Sequence, residues 1–538
     1  MRDALAREAV SPAGTGGTAH RSSLRAWRRE WGPLLAALAW FAVTSWVRPL
    51  ALPDEGRYVG VAWSMLAGGD WLVPALDGLP YFHKPPLFYW ITAVSLSVFG
   101  HGEWAARMAP LLGAVAGTTA AFLFARRWWG REAARAVLLV LATQPLVFVG
   151  AQFANLDMLV AGCIGVTVLA FAHAALAADH GLPRPTAALA AGYAFAALGV
   201  LAKGLIGIAL PGMVLLAWLL GSGRVRAVRS LLWWPGLALF AAIALPWFVA
   251  MQQRYPEFMH YFFVVQHFSR FAQGGFNNQQ PWWFYPAVIA ALCFPWSAWL
   301  AARPRRAAGG DAAGGSRSLM WTWIVLVTVF FSIPRSKLVG YILPVTWPLA
   351  LLAAQAAAAS PAGGRARRLL WPASVAVGAA VGLATVGFAA GHTPNTLREL
   401  GRTLAARAVA GDQVAFLSGA FFDLPFYARL RDPVLMVDRW DDPGIAARDN
   451  WRRELVDAGR FAPDRAQATL LTPARFAALL CGPRTTWVVG SRADAASIPA
   501  LAAAQAVATQ RDTVLWRVPG GVSGGGCPGT PSANSGRK

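Results

Sequence analysis

The sequence predicts an α-helical protein that crosses a membrane many times and carries a C-terminal α/β domain. Three observations predict it. Of its 538 residues, 56% are hydrophobic and only 14% charged, and the mean hydropathy is +0.43; a soluble globular chain carries roughly 25% charged residues. Apolar runs of about 20 residues, the length that spans a bilayer core, recur between residues 33 and 390. Beyond His392 the chain turns polar, and half of its 26 acidic residues lie in that last part. The 48 Lys+Arg give a net charge of +22. In a soluble chain this would point to nucleic acid, but in a polytopic one it is what cytoplasmic loops carry, so no nucleic-acid partner is expected.

Residues 1–32 read as a basic cytoplasmic N-terminus, with Arg21, Arg25, Arg28 and Arg29 ahead of the first apolar run. That run, Pro33–Leu52, is too long for a signal-peptide core and has no small-residue cleavage site, so it reads as an uncleaved helix. Further spans are expected at about 103–125, 136–150, 158–178, 186–201, 205–220, 231–250, 282–301, 319–333, 338–357 and 369–390. Leu87–Phe99 is short for a span and reads as an interfacial or re-entrant helix. With the N-terminus inside, every inner junction is basic: Arg126, Arg127, Arg131 and Arg135; Arg184; Arg224, Arg226 and Arg229; Arg303, Arg305, Arg306 and Arg317; Arg365, Arg367 and Arg368. This is the positive-inside pattern. Eleven spans, or thirteen, put the C-terminus outside.

Residues 391–518 read as a small outside α/β domain. Thr393–Ala410 is an amphipathic helix with Leu397, Leu400 and Leu404 on one face. Val414–Leu417, Val434–Val437, Thr486–Val489 and Val514–Val518 are short strands. Residues 519–538 form a Gly/Ser/Pro tail expected to be disordered. Cys163 and Cys293 lie in apolar runs. Cys481 and Cys527 lie in the polar part, where an oxidising compartment would allow them to pair without their spacing demanding it. No Cys/His spacing resembles a zinc site.

The outer face holds charges that the positive-inside pattern does not explain. The loop after the first span carries Asp54, Glu55, Arg57, Asp70, Asp77, His83, Lys84 and Glu103. Asp157 follows the third span, Lys203 stands in the short turn Leu201–Gly204, His260, His267 and Arg270 follow the seventh, and Arg335 and Lys337 precede the tenth. Each has a bland reading. Asp54-Glu55 could be a solvated helix end, Asp157 an N-cap, Lys203 and Arg335 snorkelling side chains, and the histidines core or interfacial. Lys84 is harder to dismiss, because Pro85-Pro86 stiffens the backbone beside it. The set together has a chemical meaning. Two carboxylates ringed by cations on one face suit a phosphorylated substrate, with the cations binding phosphate and stabilising charge on a leaving phosphate. A carboxylate there can act as general base, or the pair Asp54 and Asp157 can hold a divalent metal cation.

Six segments, in order, resemble one branch of the GT-C glycosyltransferases: Pro53-Asp54-Glu55-Gly56-Arg57-Tyr58; Tyr81-Phe82-His83-Lys84-Pro85-Pro86-Leu87 followed by Tyr89-Trp90; Asn155-Leu156-Asp157; Ala202-Lys203-Gly204; His267-Phe268-Ser269-Arg270-Phe271; and Lys337-Leu338-Val339-Gly340-Tyr341-Ile342-Leu343-Pro344. That branch is the aminoarabinose transferase (ArnT-like) and protein O-mannosyltransferase-related family. The resemblance covers residues 33–390 as a transmembrane catalytic domain and extends to a periplasmic C-terminal domain. It implies a bacterial inner-membrane enzyme with a periplasmic active site, taking a sugar from a polyprenyl-phosphate donor and passing it, with inversion, to lipid A phosphate or a related periplasmic acceptor, in contact with membrane lipids. It assigns Asp54 as the catalytic carboxylate and Asp157 as its acidic partner. Lys84, Lys203 and Arg57 hold the carrier phosphate, and His267, Arg270 and Tyr341 line the cavity; Glu55, Tyr58, Tyr81, His83 and Lys337 complete the substrate-binding set.

There are two departures from the family pattern. His83 stands where it usually has Glu against the amino sugar, and Val339 where it usually has Pro. The first allows a sugar other than aminoarabinose, such as an amino hexose like glucosamine. Protein O-glycosylation is the rival within the enzyme class. A lipid-linked sugar transporter or flippase is the rival outside it, disfavoured because the sequence shows no internal repeat and its charges gather at one face rather than mid-membrane.

Overall fold

The structure is a computed structural model and describes residues 31–269, 278–301, 311–359, 364, 366–392, 395–448, 450–502 and 504–521. The basic N-terminus up to residue 30 and the tail from residue 522 lie outside the described residues. The membrane part contains α1 (Trp31–Ala42), α2 (Asp54–Gly68), α3 (Leu87–Phe99), α4 (Met108–Trp129), α5 (Arg131–Thr143), α6 (Pro145–Gly150), α7 (Leu156–Asp179), α8 (Thr186–Lys203), α9 (Ile206–Gly221), α10 (Trp234–Arg254), α11 (Phe284–Leu292), α12 (Asp311–Ser332), α13 (Thr346–Ala359) and α14 (Trp371–Gly391), with single turns between some of them. Among the described residues, seven helices are long and apolar enough to cross a membrane: α4, α7, α8, α10, Gly315–Ser332 within α12, Val339–Ala359 and Arg368–Gly391. Helices α1, α3 and α9 are apolar but shorter.

Two expected spans are broken at prolines, and the first expected span, Pro33–Leu52, is helical only as far as Ala42. The run 136–150 divides between α5 and α6 at Gln144-Pro145, and 282–301 divides where α11 ends at Leu292 and a 3₁₀ turn, Trp296–Ala301, begins after Pro295. Proline removes a helical N–H and clashes with the carbonyl four residues back, so hydropathy alone overstates both helices. Helix α7 is apolar all round and lies at the centre, buried over most of its length. It crosses α4 at backbone contact. A Cβ on Gly113 would meet Met158 O at 2.4 Å, and one on Gly162 would meet Gly113 O at 2.0 Å. Small residues permit this approach between membrane helices. Helix α3, expected at the interface, buries Phe88, Tyr89, Ala93 and Leu96 on one side and exposes Val94, Val98 and Phe99 on the other.

The C-terminal part begins with α15 (Arg398–Arg407), which buries Leu400 and Leu404, with Leu397 just before it. Its six-stranded sheet has the order β5-β4-β3-β6-β8-β7, made of β3 (Gln413–Leu417), β4 (Leu435–Val437), β5 (Leu470–Leu471), β6 (Thr486–Ser491), β7 (Gln505–Gln510) and β8 (Thr513–Val518). Strands β3, β4, β5 and β6 run parallel, while β8 is antiparallel to β6 and to β7. The four strands expected from apolar runs are β3, β4, β6 and β8. The two edge strands escaped, because β5 is two residues long and β7, Gln-Ala-Val-Ala-Thr-Gln, is largely exposed and carries no apolar alternation.

This domain is bonded to the membrane part around α2. Trp63 Nε1 donates to Leu430 O at 2.6 Å, Leu50 N to Tyr427 Oη at 2.8 Å, and Arg398 pairs with Glu103 at 2.5 Å. The hairpin β1 (Ala75–Leu76) and β2 (Leu79–Pro80), turned through Asp77-Gly78 at positive φ, lies against Pro433. An Asp-Gly turn supplies the two left-handed residues that such a tight hairpin requires.

Candidate active site

Helix α2 starts immediately after the first apolar run, so Asp54 and Glu55 enter its first turn together, yet they face different surroundings. Asp54 is partly exposed and accepts from Arg57 Nη2 at 2.8 Å, one turn along the helix. Burial raises the Asp54 pKa above its ordinary value; Arg57 and Lys203 oppose that rise and the nearby charge of Asp157 adds to it. Asp54, Asp157, Arg57 and Lys203 therefore act on one another, although Asp54 and Lys203 are far apart in sequence.

Asp157 sits in the first turn of α7. Asn155 is the cap there, its side chain accepting from Asp157 N at 3.0 Å, so the Asp157 carboxylate is not used for capping. One oxygen accepts from Asn155 Nδ2 at 3.1 Å, and the other pairs with Lys203. Lys203 ends α8, where Gly204 at φ 81 turns the chain away, and its ammonium lies 4.3 Å from the Tyr341 ring centroid. Tyr341 belongs to the 3₁₀ turn Val339–Val345. Beside it Gly340 leaves room for the carboxylate: a Cβ there would stand 2.0 Å from Asp157 Oδ2.

Tyr58 and Tyr81 lie beside Arg57. Its guanidinium lies 5.2 Å from the Tyr58 ring centroid, and Tyr58 packs edge-on against Phe88. Tyr81 is buried 4.8 Å, ring to ring, from His83. His83 Nε2 meets Tyr261 Oη at 2.8 Å. Lys84, half-buried, follows on the same turn, ahead of Pro85-Pro86 and α3.

Two expected substrate contacts have other surroundings, and this corrects the reading from sequence. Glu55 is 0% exposed and faces away from the site. Arg48 and Arg107 pair with it, and Ala51 N and Ala154 N donate to it at 2.8 Å each. Burial opposes its ionisation, but the two guanidiniums prevail and hold its pKa at about 2. Lys337 is also buried, its ammonium donating to Gln280 O and Pro334 O rather than to the carboxylate pair. His267 contributes only backbone to the described π-helix His260–Ser269; its side chain and Arg270 lie outside the described residues.

Asp54 and Asp157 make a poor metal site as they stand. Each already spends an oxygen on a cation, and among the described residues no three His, Cys, Asp or Glu converge. A divalent ion held by this pair would have to draw its other oxygen ligands from water and substrate phosphate.

The sequence reading missed Glu454, which comes from the C-terminal domain. It lies on α16 (Trp451–Gly459), whose cap Asn450 accepts from Arg452 N and Arg453 N. Its Oε1 accepts from Arg57 Nη1 at 2.7 Å and lies 3.9 Å from His83 Nδ1, while Oε2 is buried without a hydrogen-bond partner. Tyr261, on the π-helix, was missed as well. No local signal marks either residue, since one is an ordinary helical Glu and the other an aromatic among many.

Residues 83–250 match the family described as dolichyl-phosphate-mannose-protein mannosyltransferase. The chain is 35% identical over 336 residues to the undecaprenyl phosphate-alpha-4-amino-4-deoxy-L-arabinose arabinosyl transferase 1 of Sodalis glossinidius, covering 60% of this chain and 58% of that protein. It is 34% identical over 309 residues to the corresponding transferase of Pseudomonas aeruginosa, covering 56% and 55%. The match thus spans less than two thirds of these relatives. The crystal structure of ArnT from Cupriavidus metallidurans bound to undecaprenyl phosphate superposes with a TM-score of 0.74 at 26% identity, covering 90% of this chain and 97% of that one. The apo structure of the same protein gives a TM-score of 0.73.

Proposed function

We propose that this chain, a relative of the undecaprenyl-phosphate aminoarabinose transferases with the GT-C membrane architecture, moves a sugar from a polyprenyl-phosphate donor to an acceptor outside the inner membrane. The observation that carries the reading is the pair Asp54 and Asp157, brought from separate helices to one place and each held by its own cation. An acceptor oxygen attacks the anomeric carbon as the bond to the carrier phosphate breaks, and the negative charge passes to polyprenyl phosphate. Lys84, Lys203 and Arg57 stabilise that charge; preorganised cations of this kind supply most of the transition-state stabilisation in such displacements. Lys203 has three N–H groups, so it can keep Asp157 and still donate to phosphate. If the acceptor is a hydroxyl, Asp54, with its raised pKa, takes the proton. If it is a phosphate, already ionised, Asp54 orients it.

The acceptor we favour is lipid A phosphate, and the sugar an amino sugar. Where the family pattern has Glu, this chain has His83, and Glu454 brings a carboxylate 3.9 Å from it, with one oxygen still to be matched. An ammonium or hydroxyl of the sugar matches that oxygen. A periplasmic site is supported by the basic inner loops.

The test is transfer from radiolabelled polyprenyl-phosphate sugar to lipid A in proteoliposomes. Turnover is expected in the intact protein and not in Asp54→Asn. In Glu454→Gln the KM for an amino-sugar donor should rise more than that for its hydroxyl counterpart. Facilitated movement of the intact donor across the bilayer without transfer would replace the enzyme by a transporter.

A further inference from the structure

At the same end of the helix bundle as Tyr341, but separate from the carboxylate pair, the segment between α12 and the 3₁₀ turn carries two cations, Arg335 and Lys337. Lys337 is only 3% exposed. Its ammonium donates to Gln280 O at 2.9 Å and Pro334 O at 2.5 Å, and among the described residues no carboxylate pairs with it. Burial with no opposing anion pushes its pKa down. A buried charge without a counter-ion is costly, and the fold does not need the ammonium to join these two segments. Their backbones are already paired, through Gln280 N to Arg335 O, Lys337 N to Asn278 O and the bridge Gln279–Ser336.

Lys337 opens onto a cavity of about 420 Å³ that Gln280, Trp282, Ser332, Ile333 and Arg335 also line. Trp282 is 74% exposed and Ile333 67%, in a chain whose outer helix surfaces face lipid. A Trp at such a boundary is placed at headgroup level, and basic pockets between membrane helices suit anionic headgroups.

We propose that this cavity binds the phosphate of an anionic membrane lipid, with Lys337 as its buried counter-charge, Arg335 at the rim, and the lipid's chains against Trp282 and Ile333. The phosphate accepts from the remaining N–H of Lys337 and relieves the uncompensated charge. A soluble phosphate would gain nothing from the apolar wall. The inference rests on the membrane-spanning fold and not on sugar transfer.

The test is binding of phosphatidylglycerol by the full-length protein in detergent, read by native mass spectrometry, with phosphatidylcholine and inorganic phosphate as the other probes. Phosphatidylglycerol should be retained in preference to both. Loss of one charge-assisted contact should weaken it about tenfold or more in Lys337→Gln. Arg335→Gln changes an exposed side chain and leaves the fold intact; it should weaken binding several-fold, and it keeps the test open if Lys337→Gln fails to fold. Equal retention of phosphatidylglycerol and phosphatidylcholine, unchanged binding in Arg335→Gln, or inorganic phosphate binding as tightly as the lipid would each overturn the proposal.

Discussion

Asp157 shows how much the position of a single residue decides. Because Asn155 takes the capping role two residues earlier, the carboxylate of Asp157 meets Lys203 instead of its own helix end. An Asp at a helix start commonly caps it, and here Asn155 leaves Asp157 free of that role. We expect Asp54→Asn and Asp157→Asn each to abolish most transfer while leaving expression and melting near normal. The double variant should lose little more than the worse single one, because residues that act as a unit are not additive. Multiplying losses in single-turnover assays would separate the two carboxylates into independent roles. Gly340→Ala tests the same geometry from the other side. Its Cβ would stand 2.0 Å from Asp157 Oδ2 and push the carboxylate aside, and a displacement near 1 Å at a reacting group costs about 100-fold in rate. Its kcat should fall on that scale with little change in Tm; unchanged kcat would mean that Asp157 is not held in place for the reaction.

Among the elements, α2, α7 and the connection Arg48–Leu50 are joined by Glu55. Arg107 Nη1 donates to Ser45 O at 2.6 Å and Arg48 O at 2.9 Å, and Arg48 Nη2 donates to Gln152 O at 2.6 Å. Both guanidiniums converge on Glu55, which also accepts from Ala154 N. Ala154 directly precedes the Asn155 cap of α7, so this buried cluster ties the start of Asp54's helix to the start of Asp157's. Asp54 and Glu55 are neighbours in sequence, but the helix turns them to opposite sides, one towards the site and one into the support beneath it. Glu55→Gln leaves two buried guanidiniums uncompensated. Removing one partner of a buried pair costs about 3–5 kcal/mol, so loss of folded protein is expected, measured as detergent-resistant yield and Tm. A variant with wild-type Tm would show that the cluster does not support the fold. The pKa of Glu55 lies near 2, below its unfolded value, so its stabilising contribution is complete above about pH 4.5 and lost only as pH falls towards 2.

For the whole molecule, the docking of the C-terminal domain on α2 is the feature most open to pH. Asp423 is fully buried where this domain meets α2: a Cβ on Gly56 would stand 2.8 Å from Asp423 N. Thr396 Oγ1 and Leu397 N donate to its Oδ2 at 3.0 and 2.8 Å, and Oδ1 is buried without a partner. Burial pushes its pKa up to about 7 despite those donors, against roughly 3.9 in an unfolded chain. Between these values the folded protein keeps a proton that the unfolded chain has released, so stability declines as pH rises from 4 to 7. Asp423→Asn should flatten part of that decline and raise Tm at pH 7.5 by a few degrees; an unaltered Tm–pH slope would count against it. Asp77, also pushed up to about 7 by burial, accounts for a further part of the slope.

By itself the sequence determined the class of molecule, the order of its apolar segments and the change to a polar α/β domain, because hydropathy, helix length and loop charge are local properties that a bilayer imposes on any chain. It also singled out Asp54, Asp157, Arg57 and Lys203, because charged groups at the ends of apolar helices are costly and these gather on one face, whereas Tyr341 came only from the family resemblance. Only the tertiary structure decided which of them meet. It sent Glu55 into the support and Lys337 into a separate cavity, although the sequence placed both beside the site, and it divided two apolar runs at prolines. It also brought Glu454 to Arg57 across nearly 400 residues of sequence. Contacts between remote segments depend on how helices and domains pack, and a polar residue in a soluble helix carries no cost that would mark it out beforehand.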